Sequence, residues 1–187
     1  MIVMKFGGTS VKDAEAMGRA CRIVHSRLER APLVVVSALS GVTSGLLEAA
    51  RLAGQGALGE SMEIFERLRT LHVELMPSVD TDLDGLKEAL LEVSEAGHLS
   101  PQMGDRIASH GEMLSSQIFA HRLAQLASTT HVDAGKCLIT DENFGCANPI
   151  LEDTSRATEA TLRPLIQAGC AVVVAGYVAS TRSGETS

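Results

Sequence analysis

The chain has 187 residues, of which 45% are apolar and 21% charged, the proportions of an ordinary globular domain rather than a disordered segment. A net charge of −7 and an aromatic content of 3%, with no Trp, argue against a nucleic-acid partner, which needs phosphate neutralisation and stacking platforms. No apolar stretch approaches the ~20 residues of a membrane span, and Met1-Ile2-Val3-Met4 is too short for a secretory h-region, so no membrane partner and a cytoplasmic location are expected.

Ile2–Phe6 is a short apolar run that enters Gly7-Gly8-Thr9-Ser10. Val11–Arg30 has helical spacing, with Ala14, Met17, Cys21, Val24 and Leu28 on one side. After Pro32, the β-branched run Leu33–Val36 reads as a strand buried on both faces of a parallel sheet, followed by the small-residue loop Ser37–Thr43. The first 43 residues thus predict a βαβ unit. Helical patterns follow over Gly45–Leu52, Ser61–Leu75, Leu83–Ala96 and Gln102–Leu126, making a helical segment over about 44–127 inserted between sheet-forming parts. Breaks fall at Gly54–Gly59, Pro77–Asp80 and Gly97–Pro101, with Pro101 suited to a first helical position. Strand patterns return at Thr129–Asp133 and near Cys137–Thr140. Thr154–Gln167 predicts a helix that Pro164 should kink or shorten, with Gly169 as its stop. Cys170–Tyr177 is the longest apolar strand and leads into the loop Ala179–Ser187. Strands alternating with helices predict an α/β fold with a mostly parallel sheet.

Ligands of open α/β sheets bind outside the carboxyl ends of the strands. Three strand-to-loop transitions there are rich in glycine or small hydroxyl residues: Gly7–Ser10, Ser37–Thr43 and Ser180–Ser187. Short side chains let backbone N–H groups approach an anion closely. Lys5 precedes the glycines and sits on the strand, so this is no Walker A loop. Two readings stand: a phosphate cradle, in which a lysine within a buried strand needs an anionic partner, or a tight βα turn with an exposed lysine at the sheet end. His110-Gly111-Glu112 lies in a helical pattern, where a glycine costs roughly 1 kcal/mol relative to alanine, so close packing or ligand approach is implied. Residue physics alone makes Glu112 a surface charge and His110 a packed core histidine. Asp141-Glu142-Asn143-Phe144-Gly145 is a turn signal rather than a metal loop. The cysteines Cys21, Cys137, Cys146 and Cys170 form no CxxC pair and read as buried free thiols of a reducing compartment. The six histidines lack zinc-ligand spacing, so no protein-built metal site is expected.

In combination, Lys5-Phe6-Gly7-Gly8-Thr9-Ser10-Val11 resembles the opening signature of aspartokinases, in the amino-acid kinase superfamily. Ser37-Ala38 through Gly41 to Thr43 resembles that family's second loop, and Ser109-His110-Gly111-Glu112 with Leu114-Ser115 its helical Glu motif. Thr140-Asp141 with Phe144-Gly145, Ala147 and Pro149, then Gly176-Tyr177 with Ser180 and Ser183-Gly184-Glu185-Thr186, resemble later family segments in the family's order. The resemblance implies a three-layer α/β/α fold and ATP-dependent phosphorylation of the β-carboxylate of L-aspartate, the first step toward lysine, threonine and methionine. It implies that Lys5 contacts the transferring phosphate, that Gly7, Gly8 and Ser10 line the ATP phosphate site, and that Ser37, Thr43 and Glu112 hold aspartate. Mg²⁺ is implied as an ion carried by ATP, and a homo-oligomer as the assembly. A Thr-Leu-Gly-Arg-Gly-Gly-Ser-Asp type loop, the nucleotide-binding half and ACT domains of the family are not found in the sequence. The expectation is therefore an incomplete catalytic domain, weakly active or inactive alone, with a non-catalytic aspartate- or phosphate-binding or subunit-interaction module as the alternative.

Overall fold

A computed structural model describes residues 1–187. Along the chain run β1 (Ile2–Phe6), α1 (Ala14–His25), β2 (Pro32–Val36), α2 (Val42–Gly54), α3 (Leu58–Leu75), α4 (Asp84–Ala96), α5 (Pro101–Leu123), β3 (Thr129–Val132), β4 (Ile139–Thr140), α6 (Leu151–Gln167), β5 (Ala171–Ala175) and β6 (Ser180–Thr181). Four strands form a sheet in the order β1-β2-β5-β3, every neighbouring pair parallel. β4 and β6 make a separate parallel pair. The α/β reading from the sequence therefore holds.

Local chemistry sets the element ends. The helix predicted from Val11 starts at Ala14, because Gly8–Ser10 is a 3-10 turn and Asp13 caps the helix by accepting from the Ala16 amide at 2.8 Å. It stops at His25 rather than Arg30, since Leu28–Arg30 turns as 3-10 and Ala31, in a left-handed conformation at φ 46°, leads into Pro32. Ser100 caps α5 through the Met103 amide at 3.2 Å, with Pro101 in the first turn as read from sequence. Pro164 does not end α6, which continues to Gln167 and stops before Gly169 at φ 78°.

The two faces of the main sheet are packed unequally. Phe6, Val34, Val36, Ala171 and Val173 join a core of 30 buried residues with α1 and α2–α5. Within it Phe6 stacks on Phe119 with ring centroids 5.5 Å apart, fastening α5 to the end of β1. On the other face Val132, Val172 and Val174 pack with Cys137 and Leu162 of α6 in a cluster of only 5 buried residues, edged by half-buried Leu33 and Val35. At the sheet edge Val3 is 58% exposed. Cys21 and Cys137 are buried as expected, but Cys146 is exposed and Cys170 half-buried, because the first lies in a polar turn and the second at the mouth of β5. No helix is long and apolar enough to cross a membrane.

Candidate active site

The carboxyl ends of β1, β2 and β5 lie side by side and release Gly7–Ser10, Ser37–Thr43 and Tyr177–Ser187 at one end of the sheet. The first two loops touch through their backbones. A β-carbon on Gly8 would sit 2.9 Å from the Ala38 carbonyl oxygen and 3.3 Å from the Ser40 amide nitrogen. Glycine is required there by the crossing, not by its φ. At Gly7 a β-carbon would meet the Lys5 ammonium at 3.8 Å, so the Lys5 side chain lies back along the glycine turn. Lys5 itself is exposed on the edge strand and has no ion-pair partner, so the reading of a lysine buried within the sheet is corrected.

The second loop ends in Gly41 at φ 81°, and α2 begins without a side-chain cap. The Val42 amide donates to the Leu39 carbonyl at 3.0 Å, and the next two amides, of Thr43 and Ser44, make no hydrogen bond at the positive end of the helix. Ser115 of α5 holds the loop from behind by donating to the Ser37 carbonyl at 2.7 Å.

Glu112 is where the structure departs most from residue-level expectation. It is 8% exposed, not a surface charge. Gly111 explains this. A β-carbon there would lie 3.0 Å from Ala38 Cβ and 3.1 Å from Val42 Cγ1, so glycine lets α5 press against the second loop and the start of α2. Burial pushes the Glu112 carboxyl above its usual range, opposed by the backbone amides of Ala38 and Glu112 and by the charge of Lys5. His110 is half-buried, its Nδ1 at 2.9 Å from the Arg106 carbonyl, and desolvation lowers its pKa.

Two adjoining cavities share Thr43 and Glu112. One, of about 250 Å³, is lined by Gly8, Ser37, Ser40, Gly41, Thr43 and Glu112. The other, of about 280 Å³, is lined by Thr43, Asp105, Ser109, Glu112, Tyr177 and Ser187. Gly8, Ser37, Thr43 and Glu112 are thus brought together, with Lys5 and Gly7 alongside. Ser10 is not: it lines a different cavity with Phe6, Thr9 and Arg19, behind the glycine turn. A larger cavity of about 420 Å³ lies between Met1, Leu33 and α6, at the amino ends of the strands, the wrong end for ligand binding in this architecture. No group of three or more His, Cys, Asp or Glu side chains is placed to hold a metal ion.

Asp105 joins the site although the sequence reading does not single it out, and Tyr177 joins it from the Gly176-Tyr177 segment that resembles the family. Tyr177 has φ 49° and is 89% exposed, a left-handed conformation rare for an aromatic residue, at the mouth of the second cavity. Asp105 precedes Glu112 by two helical turns, a spacing that puts both on one helix face and is the signal that could have found it. The segment read as the loop Ala179–Ser187 contains β6 and closes as a hairpin, with Ala179 and Ser187 exchanging backbone hydrogen bonds of 3.0 and 3.1 Å.

The sequence profile of the amino acid kinase family matches residues 1–187. The chain is 32% identical over 197 residues to the lysine-sensitive aspartokinase 3 of Escherichia coli, covering 100% of this chain and 42% of that protein. It is 30% identical over 186 residues to the aspartokinase of Chlamydia trachomatis, covering 99% of this chain and 42% of that one. Among solved structures, E. coli aspartokinase III in complex with aspartate and ADP superposes with a TM-score of 0.90 at 28% identity, over 100% of this chain and 43% of that one. The same enzyme with lysine and aspartate superposes with a TM-score of 0.87 at 27% identity, with the same coverage. The chain spans about 42% of the length of these two curated relatives. From its first residue to its last, the chain belongs to the amino acid kinase family.

Proposed function

We propose that these residues form the acceptor-binding part and first phosphate loop of an aspartate kinase, which transfers the γ-phosphoryl group of ATP to the β-carboxylate of L-aspartate and yields 4-phospho-L-aspartate. The observation that carries this reading is the shared wall of two cavities, Thr43 and Glu112, at the carboxyl ends of three parallel strands. Similarity along the whole chain to aspartokinases, one of them solved with aspartate and ADP, supports the choice of substrate pair.

In this reading the buried Glu112 carboxylate receives the α-ammonium group, while Thr43 and Ser37 orient the acceptor. Burial pushes the Glu112 carboxyl up, and the Ala38 amide and the Lys5 charge oppose that push. Gly8 fits the phosphate side, because only a residue without a β-carbon leaves the two loop backbones in contact. Gly7 allows the Lys5 ammonium to lie over the turn, where it offsets charge on the transferring phosphoryl oxygens. Ser10 would reach the ATP phosphates only from the far side of the turn. An aspartate carboxylate ordinarily titrates at about 3.9, so the acceptor is already ionised at neutral pH and no general base is needed. Mg²⁺ carried on the ATP phosphates would supply further charge neutralisation. The proposed setting is the cytoplasm, in a homo-oligomeric enzyme at the first step toward lysine, threonine, methionine and diaminopimelate.

Because the chain spans about 42% of its relatives, acceptor binding and phosphoryl transfer are separate claims. Calorimetry with L-aspartate, alone and with Mg-ATP, tests the first. Saturable binding of L-aspartate that Glu112→Ala weakens by about 100-fold is the expected result; no heat with either ligand contradicts the reading and leaves an interaction module. A coupled ADP assay with a panel of acceptors, including glutamate derivatives, tests the second. Turnover with a glutamate derivative in preference to aspartate would reassign the substrate.

A further inference from the structure

We infer that Asp105 is a positioning residue for the acceptor cavity, clamping the Asp141–Asn148 turn against the helix that carries Glu112. The inference rests on the function proposed above and deepens it.

The turn is wired as a small rigid body. Asp141 Oδ1 accepts from the Asn148 amide at 2.9 Å and from the Asn143 amide at 3.2 Å, and Asp141 Oδ2 accepts from Asn148 Nδ2 at 3.2 Å. The Asp141 amide donates to the Asn148 carbonyl at 3.0 Å, and Asn143 Nδ2 donates to the Cys146 carbonyl at 3.1 Å. Gly145 takes φ 82° at its tip, a conformation that favours glycine, and its amide donates to Asp105 Oδ2 at 2.7 Å. This charge-assisted bond joins residues 40 apart in sequence and is the hydrogen bond that ties the tip of the turn to α5.

The turn is also joined to the hairpin that supplies Ser187 to the cavity wall. It leaves β4, which pairs with β6, and Thr140 Oγ1 lies 2.6 Å from Ser187 Oγ. One turn before Asp105, Gln102 Nε2 donates to Glu185 Oε1 at 2.8 Å. The first turns of α5 therefore hold both the turn and the hairpin whose Ser187 shares the cavity with Glu112, and Asp105 itself lines that cavity with Tyr177 and Ser187. With Asp105 removed, the turn keeps its internal bonds but loses its seat on α5, and the cavity loses its fixed width.

The test is hydrogen exchange and L-aspartate calorimetry on the native chain, Asp105→Ala and Asp105→Asn. In Asp105→Ala the amides of 143–148 and 180–187 should exchange about tenfold faster and aspartate should bind about tenfold more weakly, the effect of losing one charge-assisted bond. Amides of β5 should be unchanged. Asp105→Asn keeps an acceptor oxygen and should recover most of both effects, which a general loss of stability would not do. Native exchange in the Asp105→Ala turn, a loosened turn with native affinity, or an Asn variant no better than Ala each overturns this inference alone. No aspartate binding by the native chain overturns it together with the proposed function.

Discussion

The two sides of the candidate site are built by different means. On one side Gly7–Ser10 and Ser37–Thr43 meet backbone to backbone, and Gly111 lets α5 close behind them; the geometry is fixed by the absence of β-carbons. On the other side the Tyr177–Ser187 wall and the adjoining Asp141–Asn148 turn are held by side-chain hydrogen bonds from Gln102 to Glu185, between Thr140 and Ser187, and from the Gly145 amide to Asp105. The first side is steric, and at Gly8 it leaves no room for a side chain. The second is polar, more exposed and open to adjustment. In the proposed function, a charged acceptor bound between them would meet a fixed wall on the glycine side and a tunable outer wall.

Substitutions can break this contrast, and the largest effect belongs to the residue between the two sides. Glu112→Ala should weaken L-aspartate binding by about 100-fold, the scale of removing one partner from a buried charge pair, with the fold intact by circular dichroism. Gly8→Ala comes next. Its β-carbon collides with backbone atoms that cannot rotate away, so stability should fall by about 2 kcal/mol in denaturant melts and the loop crossing should open. Gly111→Ala meets side chains instead, which can shift, and gains helix propensity. Its net cost should be about 1 kcal/mol, so a loss as large as that of Gly8→Ala would contradict the distinction between backbone and side-chain crowding.

The smallest effect is a gradual pH dependence outside the glycine contacts. Burial holds His72, His110 and His131 below their ordinary pKa. The folded chain then binds fewer protons than the unfolded chain near pH 6. Their contribution to stability is full above about pH 6.5 and is lost as pH falls through the lowered folded values. His72, 1% exposed with its Nε2 lacking any partner, should dominate, so His72→Gln should flatten the acid limb of a stability–pH curve.

The same contrast explains what is legible in the sequence. A steric requirement leaves glycine behind, so Gly7, Gly8 and Gly111 stand out as punctuation in the amino-acid string itself. The strands β1, β2 and β5 are legible because each is a compact apolar run rich in β-branched residues. Glu112 is not legible from residue chemistry, since a glutamate in a helix reads as solvated, and its burial depends on Ala38 and Val42, about seventy residues earlier in the chain. Only the family resemblance marks it. Polar wiring leaves no local pattern: Asp105 finds Gly145 through folding alone, and the two-residue strand β6 is too short for periodicity to register.

The most direct measurement of the central claim is a ¹⁵N–¹H titration of the chain with L-aspartate. Saturable shifts confined to the amides of 37–45 and 108–113, with smaller ones at 177–187, are the predicted result. Shifts centred on the groove of Met1, Leu33 and α6, or no shifts at all, would contradict it.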